Sequence, residues 1–187
     1  MKQLPLLIFL VLLIEKGHTQ WSVQTALGFA TETNLDDSGL RLSSKLSRSI
    51  GKHFKVYTQL GTFQMFHSNE HWEGDAAFRE LRSLSTVNLD LGGGIAVVHK
   101  SRVCLDLLAG GSYRAGRQLW PETAVTINGH RDIYYTYEKI SDFGYALGLE
   151  LSVKVTERIW LGMDAHCHNY NYLGEYLGAG LGATFQL

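Results

Sequence analysis

The chain has 187 residues, 17 Lys and Arg against 18 Asp and Glu, and a net charge of −1. That length suits one domain, and balanced charge gives no electrostatic case for nucleic acid or an acidic surface. Gly is abundant at 20, Pro scarce at 2, and the mean hydropathy of −0.06 fits a membrane barrel and a soluble β protein equally well.

Residues 1–20 differ from the rest. Lys2 is followed by an apolar run from Leu4 to Ile14 and a polar exit from Glu15 to Gln20. The run is too short to span a bilayer and reads as a secretory signal peptide, leaving 21–187 as one domain. No Cys lies near its end, so no lipid anchor is indicated.

The first strand alternates Val23, Thr25, Leu27 and Phe29 with Ser22, Gln24, Ala26 and Gly28. A polar connection from Glu32 to Ser38 follows. The second strand sets Leu40, Leu42, Leu46 and Ile50 against Arg41, Ser43, Lys45 and Ser47. Arg48 interrupts its apolar face, where a long side chain reaches the interface. Gly51-Lys52-His53 is a tight turn. The third strand, about Phe54 to Phe66, alternates weakly because Phe63 and Met65 fall on the polar side.

His67 to Leu81 reads as a long loop. The fourth strand shows Val87, Leu89, Leu91, Ile95 and Val97 against Asn88, Asp90, Gly92 and Gly94. The fifth shows Val103, Leu105, Leu107 and Tyr113 against Asp106, Gly110, Ser112 and Arg114. A second long loop is expected from Ala115 to about Arg131. The sixth strand begins near Asp132 and projects through Tyr134, Tyr135 and Tyr137. Its S-D-F-G-Y-A-L-G-L-E-L-S-V stretch carries the clearest alternation: Phe143, Tyr145, Leu147, Leu149, Leu151 and Val153 on one face, Asp142, Gly144, Ala146, Gly148, Glu150 and Ser152 on the other. That face is as long as a tilted strand crossing a bilayer, about 9–11 residues. The seventh strand sets Leu161, Met163, Ala165 and Cys167 against Asp164, His166 and His168. The eighth sets Leu177, Leu181 and Phe185 against Tyr176, Gly178, Gly180 and Gly182, after a medium loop from Asn169 to Gly174.

Eight strands with short and longer connections in alternation predict an all-β, antiparallel, up-and-down transmembrane β-barrel. Both mature termini then lie on the short-turn side, the periplasm. Cys104 and Cys167 are placed on the lipid face of strands that are not neighbours, so no disulfide is expected.

Alternation does not say which face looks inward, and a soluble lipocalin-like carrier has its apolar face inside. Two features favour the membrane. The polar face is crowded with Gly and Ala, which fit the narrow interior of eight strands. It also carries charges of both signs, namely Arg41, Lys45, Lys55, Arg114 and Arg158 against Asp90, Asp106, Glu138, Asp142, Glu150 and Asp164. Confined charges must pair or be hydrated.

The whole mature chain resembles the small eight-stranded outer-membrane barrels of the OmpA/OmpX/OmpW type. Its last strand, L-G-A-G-L-G-A-T-F-Q-L, resembles their C-terminal assembly signal, with Leu187 where the terminal aromatic usually stands and Phe185 two residues earlier. The resemblance implies an outer-membrane location, contact with outer-membrane lipid and with the barrel-assembly machinery, and an extracellular ligand reached through the long loops. A monomer without cofactor is expected.

His166 and His168 share a face at a spacing of two, and His67, His71 and His130 fall near the loop end. Together they suggest a metal-binding or pH-sensing rim; scattered loop histidines plus an interior pair bonded to carboxylates is the plainer account. Lipid A deacylases carry His-x-Ser on a late strand. Here His166-Cys167-His168, with Glu175 beyond, lacks that Ser, and no catalytic residue is assigned. The expected function is a non-enzymatic barrel with a salt-bridged, plugged interior, serving surface interaction or envelope integrity. A narrow pore and a lipid A-modifying enzyme are the alternatives.

Overall fold

A computed structural model describes residues 20–33, 37–73, 76–127, 130–172 and 174–187; the side chains of 37, 67–80 and 123–132 lie outside the described set. The proposed signal peptide, apart from Gln20, also lies outside it. Eight strands follow in order: β1 (Trp21–Glu32), β2 (Asp37–Ile50), β3 (Phe54–Glu73), β4 (Ala76–His99), β5 (Val103–Ile127), β6 (His130–Lys154), β7 (Ile159–Tyr170) and β8 (Gly174–Gln186). Each pairs antiparallel with the next, and β8 returns to β1, which closes the barrel. Closure leaves no free sheet edge, the condition for strands to cross hydrocarbon. The seam continues to its ends, where the Leu187 amide donates to the Trp21 carbonyl at 2.9 Å.

Side-chain alternation sets the two surfaces. On β1, Leu27 and Phe29 are 60% and 69% exposed, while Gln24, Ala26 and Ala30 on the opposite face are buried. Phe143, Tyr145, Leu147, Leu149, Leu161, Leu177, Leu181 and Phe185 are exposed on the outer wall, and Leu151 shares their face, half-buried. The apolar side chains thus face out and the ionic ones in, the reverse of a lipocalin. Arg48 also lies on the outer face, but it does not extend into the interface. Its guanidinium packs over the Trp21 ring, 5.4 Å from the centroid, and the side chain is buried.

The short turns sit at one end. Gly51 takes a positive φ of 68° there, a conformation glycine adopts without penalty. At the turn between β6 and β7, Lys154 Nζ donates to Glu157 Oε2 at 2.8 Å and holds that exposed carboxyl below its ordinary range.

At the other end the structure departs from the sequence reading. The two expected long loops are strands. β3 and β4 stay paired to Glu73 and Ala76, and β5 and β6 to Ile127 and His130. Polar, loop-like composition concealed a ladder whose cohesion lies in backbone hydrogen bonds. The bulge at Pro121 fits, since proline cannot donate to a ladder. The medium loop shrinks too, because β7 runs to Tyr170 and β8 starts at Gly174. The barrel is therefore lopsided. β1, β2, β7 and β8 end at a low rim, while β5 rises 13 residues and β6 rises 12 past the Arg114↔Asp142 pair, roughly 40 Å at about 3.3 Å per residue.

Candidate functional site

The lumen is filled in layers from the short-turn end upward. The lowest charged layer joins four strands. Lys45 Nζ lies 2.6 Å from Glu150 Oε2, and Lys55 Nζ lies 2.7 Å from Asp106 Oδ2 and 3.0 Å from the same Glu150 oxygen. Two lysines and two carboxylates cancel within one ring. Above them Arg41 Nη1 donates to Asp164 Oδ2 at 2.8 Å, and His166 Nδ1 sits 3.2 Å from that oxygen.

Asp90 centres the next layer. It accepts from Ser112 Oγ at 2.6 Å and lies 3.0 Å from His168 Nε2. Ser112 in turn meets the Tyr170 hydroxyl at 2.9 Å. The glycines of β8 make the room. A Cβ on Gly178 would strike the His166 imidazole, and one on Gly180 would meet Asp164 Oδ1 at 3.0 Å.

The top layer lies just below the low rim. Arg114 Nη1 reaches Glu32 Oε2 at 2.6 Å, and both side chains are buried. The guanidinium lies 5.4 Å from the Tyr170 and Tyr176 centroids and 5.9 Å from that of Phe63. Phe63 and Tyr176 pack edge to face at 5.1 Å. Around them Ala30, Met65, Leu84 and Ile140 form the apolar cluster of the interior. Phe63 and Met65, which break the apolar-out alternation of β3, are fully buried members of this cluster.

Arg41, Lys45, Lys55, Asp90, Asp106, Arg114, Asp142, Glu150 and Asp164 all lie on the inner wall, but two residues of the expected set do not. Glu138 is exposed, because it stands four residues above Asp142, beyond the low rim. Arg158 is exposed in the turn before β7 begins. Asp142 accepts the Phe143 and Tyr172 amides at 2.8 and 2.6 Å and pins the turn after β7. Glu32, first read as part of a connection, is the last residue of β1. Its parity with Gln24, Ala26, Gly28 and Ala30 is the signal that marks it as interior.

Of the five histidines expected at a rim, two have described side chains. His166 and His168 lie inside the barrel, bound to different carboxylates, with ring centroids 5.2 Å apart. His67, His71 and His130 fall on the tall hairpins by register, and their side chains are outside the described set. Among the described residues no three His, Cys, Asp or Glu side chains converge as metal ligands. Cys167 is half-buried on the outer wall, but Cys104 is not; it shares the inner parity of Asp106, whose Oδ1 lies 3.5 Å from its thiol. Both cysteines are free.

Below the lysine layer the lumen widens into a cavity of about 550 Å³, reached from the short-turn end. Trp160, Ser22, Ser47, Ser152, Thr184 and Gln186 line it, with Lys52 and His53 at its mouth. Trp160 keeps step with Gly162 and Asp164, and that parity marks it as interior.

No protein-family model matches the sequence, and no curated protein does. Solved structures do match. OprG from Pseudomonas aeruginosa superposes with a TM-score of 0.63 at 9% identity, over 90% of this chain and 95% of that one. A major outer membrane protein from Thermus thermophilus gives 0.62 at 12%, over 91% and 100%. Ail of Yersinia pestis, in complex with the heparin analogue sucrose octasulfate, gives 0.55 at 15%, over 90% and 97%. The fold is that of the small eight-stranded outer-membrane barrels. In that fold an apolar band meets lipid and the inner wall is polar, the arrangement seen here. At these identities the likeness concerns architecture alone.

Proposed function

We propose that the protein is a non-conducting, non-enzymatic barrel of the outer membrane that presents its tall hairpins for surface interaction. The observation that carries this reading is the Arg114 layer. A buried ion pair ringed by three aromatic side chains stands across the lumen just below the low rim. Beneath it the charges are mutually compensated, so an ion entering would have to break pairs already made. The hairpins carry aromatic surface, with Tyr137 77% exposed, Tyr134 exposed beside it, and Arg82 packed on Trp120 at 5.4 Å. Aromatic and Arg groups dominate protein recognition. The short-turn end and both mature termini face the periplasm in this reading, and the chain acts as a monomer.

Catalysis by the His166-Cys167-His168 segment is disfavoured by parity. The thiol faces out and both imidazoles face in, so neither histidine shares the face of the nucleophile. Planar-bilayer recording tests the plug. Purified protein is expected to leave the membrane silent; reproducible single-channel steps would refute it.

A further inference from the structure

We propose that the cavity at the short-turn end is a binding site for a sugar acid, a hydroxyl-rich ring bearing one carboxylate. Its volume, about 550 Å³, lies within the ordinary range for small-molecule sites, about 300–1,000 Å³. The layer of lysines and carboxylates floors it, and the lumen is sealed further up. It is thus a one-ended pocket, inside a rigid closed wall.

The lining matches that chemistry. Ser152 and Thr184 supply hydroxyls, Ser22 and Ser47 a hydroxyl pair bonded at 2.8 Å, and Gln186 an amide whose Oε1 accepts from Gln20. Hydroxyls donate and accept, and suit a ligand whose own hydroxyls do the same. Trp160 stands among them. It is nine-tenths buried, and its indole N–H, a donor only, has no hydrogen-bond partner. A buried donor of this kind calls for an acceptor.

The charge follows from a count of the lining. Lys45, Lys52 and Lys55 face Asp106 and Glu150, three positive groups against two negative. The two inner lysines are matched by the two carboxylates. Lys52, exposed at the mouth, is the cation left over. A single carboxylate on the ligand completes the balance.

The test uses the full chain in amine-oxide micelles, which carry no sugar headgroup, with glucuronate, glucose and acetate as probes. Calorimetric titration is expected to show saturable glucuronate binding that is tighter than glucose, with none for acetate. Trp160→Phe keeps the ring and removes the N–H; it should weaken glucuronate binding about tenfold, the worth of one hydrogen bond. Lys52→Gln, a surface change that leaves the fold intact, should weaken glucuronate roughly two- to fivefold and leave glucose unchanged. Position is read independently by Cys104, which also lines the pocket. In a Cys167→Ala background, glucuronate should slow its labelling by a charged thiol reagent. No glucuronate binding, equal binding of glucose, indifference to both substitutions, or unprotected Cys104 would each overturn the proposal.

Discussion

Arg114 Nη1 of β5 lies 2.6 Å from Glu32 Oε2 of β1, across the full width of the barrel. Neither strand neighbours the other in the sheet, so the pair ties opposite walls together. The Tyr170, Tyr176 and Phe63 rings stand around the guanidinium, and Arg114 is buried.

Cutting that tie from one side leaves a charge stranded. Arg114→Met is expected to destabilise the barrel by about 3–5 kcal/mol, whereas Arg114→Met with Glu32→Leu should recover most of the loss. Urea unfolding in lipid vesicles measures both. A double variant no more stable than the single one would show that the tie is not a simple ion pair.

Glu150 is bound by two lysines and Asp106 by one. Glu150→Gln should therefore cost more than Asp106→Asn, the first about 3–5 kcal/mol. The same unfolding assay ranks them, and the opposite order would argue against the shared Glu150 oxygen.

Gly178→Ala places a methyl group against the His166 imidazole and 3.1 Å from the Ala30 Cβ. A cost of about 1–3 kcal/mol is expected from overpacking. Combining it with His166→Ala should relieve part of that cost, giving a measurable coupling between contacting sites. Strict additivity would place the imidazole elsewhere.

On the outer wall, Leu149→Arg is expected to cost about 2–4 kcal/mol if Leu149 faces the bilayer midplane, falling to about 0–1 kcal/mol for Val153→Arg near the turn. Equal penalties at the two positions would contradict the placement of the apolar band.

Much of this architecture was legible in sequence because a barrel wall has an exact period of two. Strand number, the sense of each face and nine of the eleven inner charges follow from it. The errors have physical causes. Phe63 and Met65 look misplaced if every apolar residue faces lipid, yet the interior also holds an apolar cluster. Cys104 and Trp160 were misread or missed, although parity alone puts them inside. Glu138 and Arg158 have inner parity but lie above and below the enclosed segment, and parity does not say where enclosure ends. The tall hairpins escaped notice because backbone pairing supports them while their side chains look like those of a loop.

The account rests on oily side chains meeting hydrocarbon while ionic ones stay within the cylinder. Spin labels placed singly from residue 143 to 153, in lipid vesicles, read this directly. Collisions with dissolved oxygen should be strong at the odd positions and weak at the even ones, with a period of two along the strand. Strong oxygen contact at positions 146, 148 and 150, with protection at 147 and 149, would contradict it.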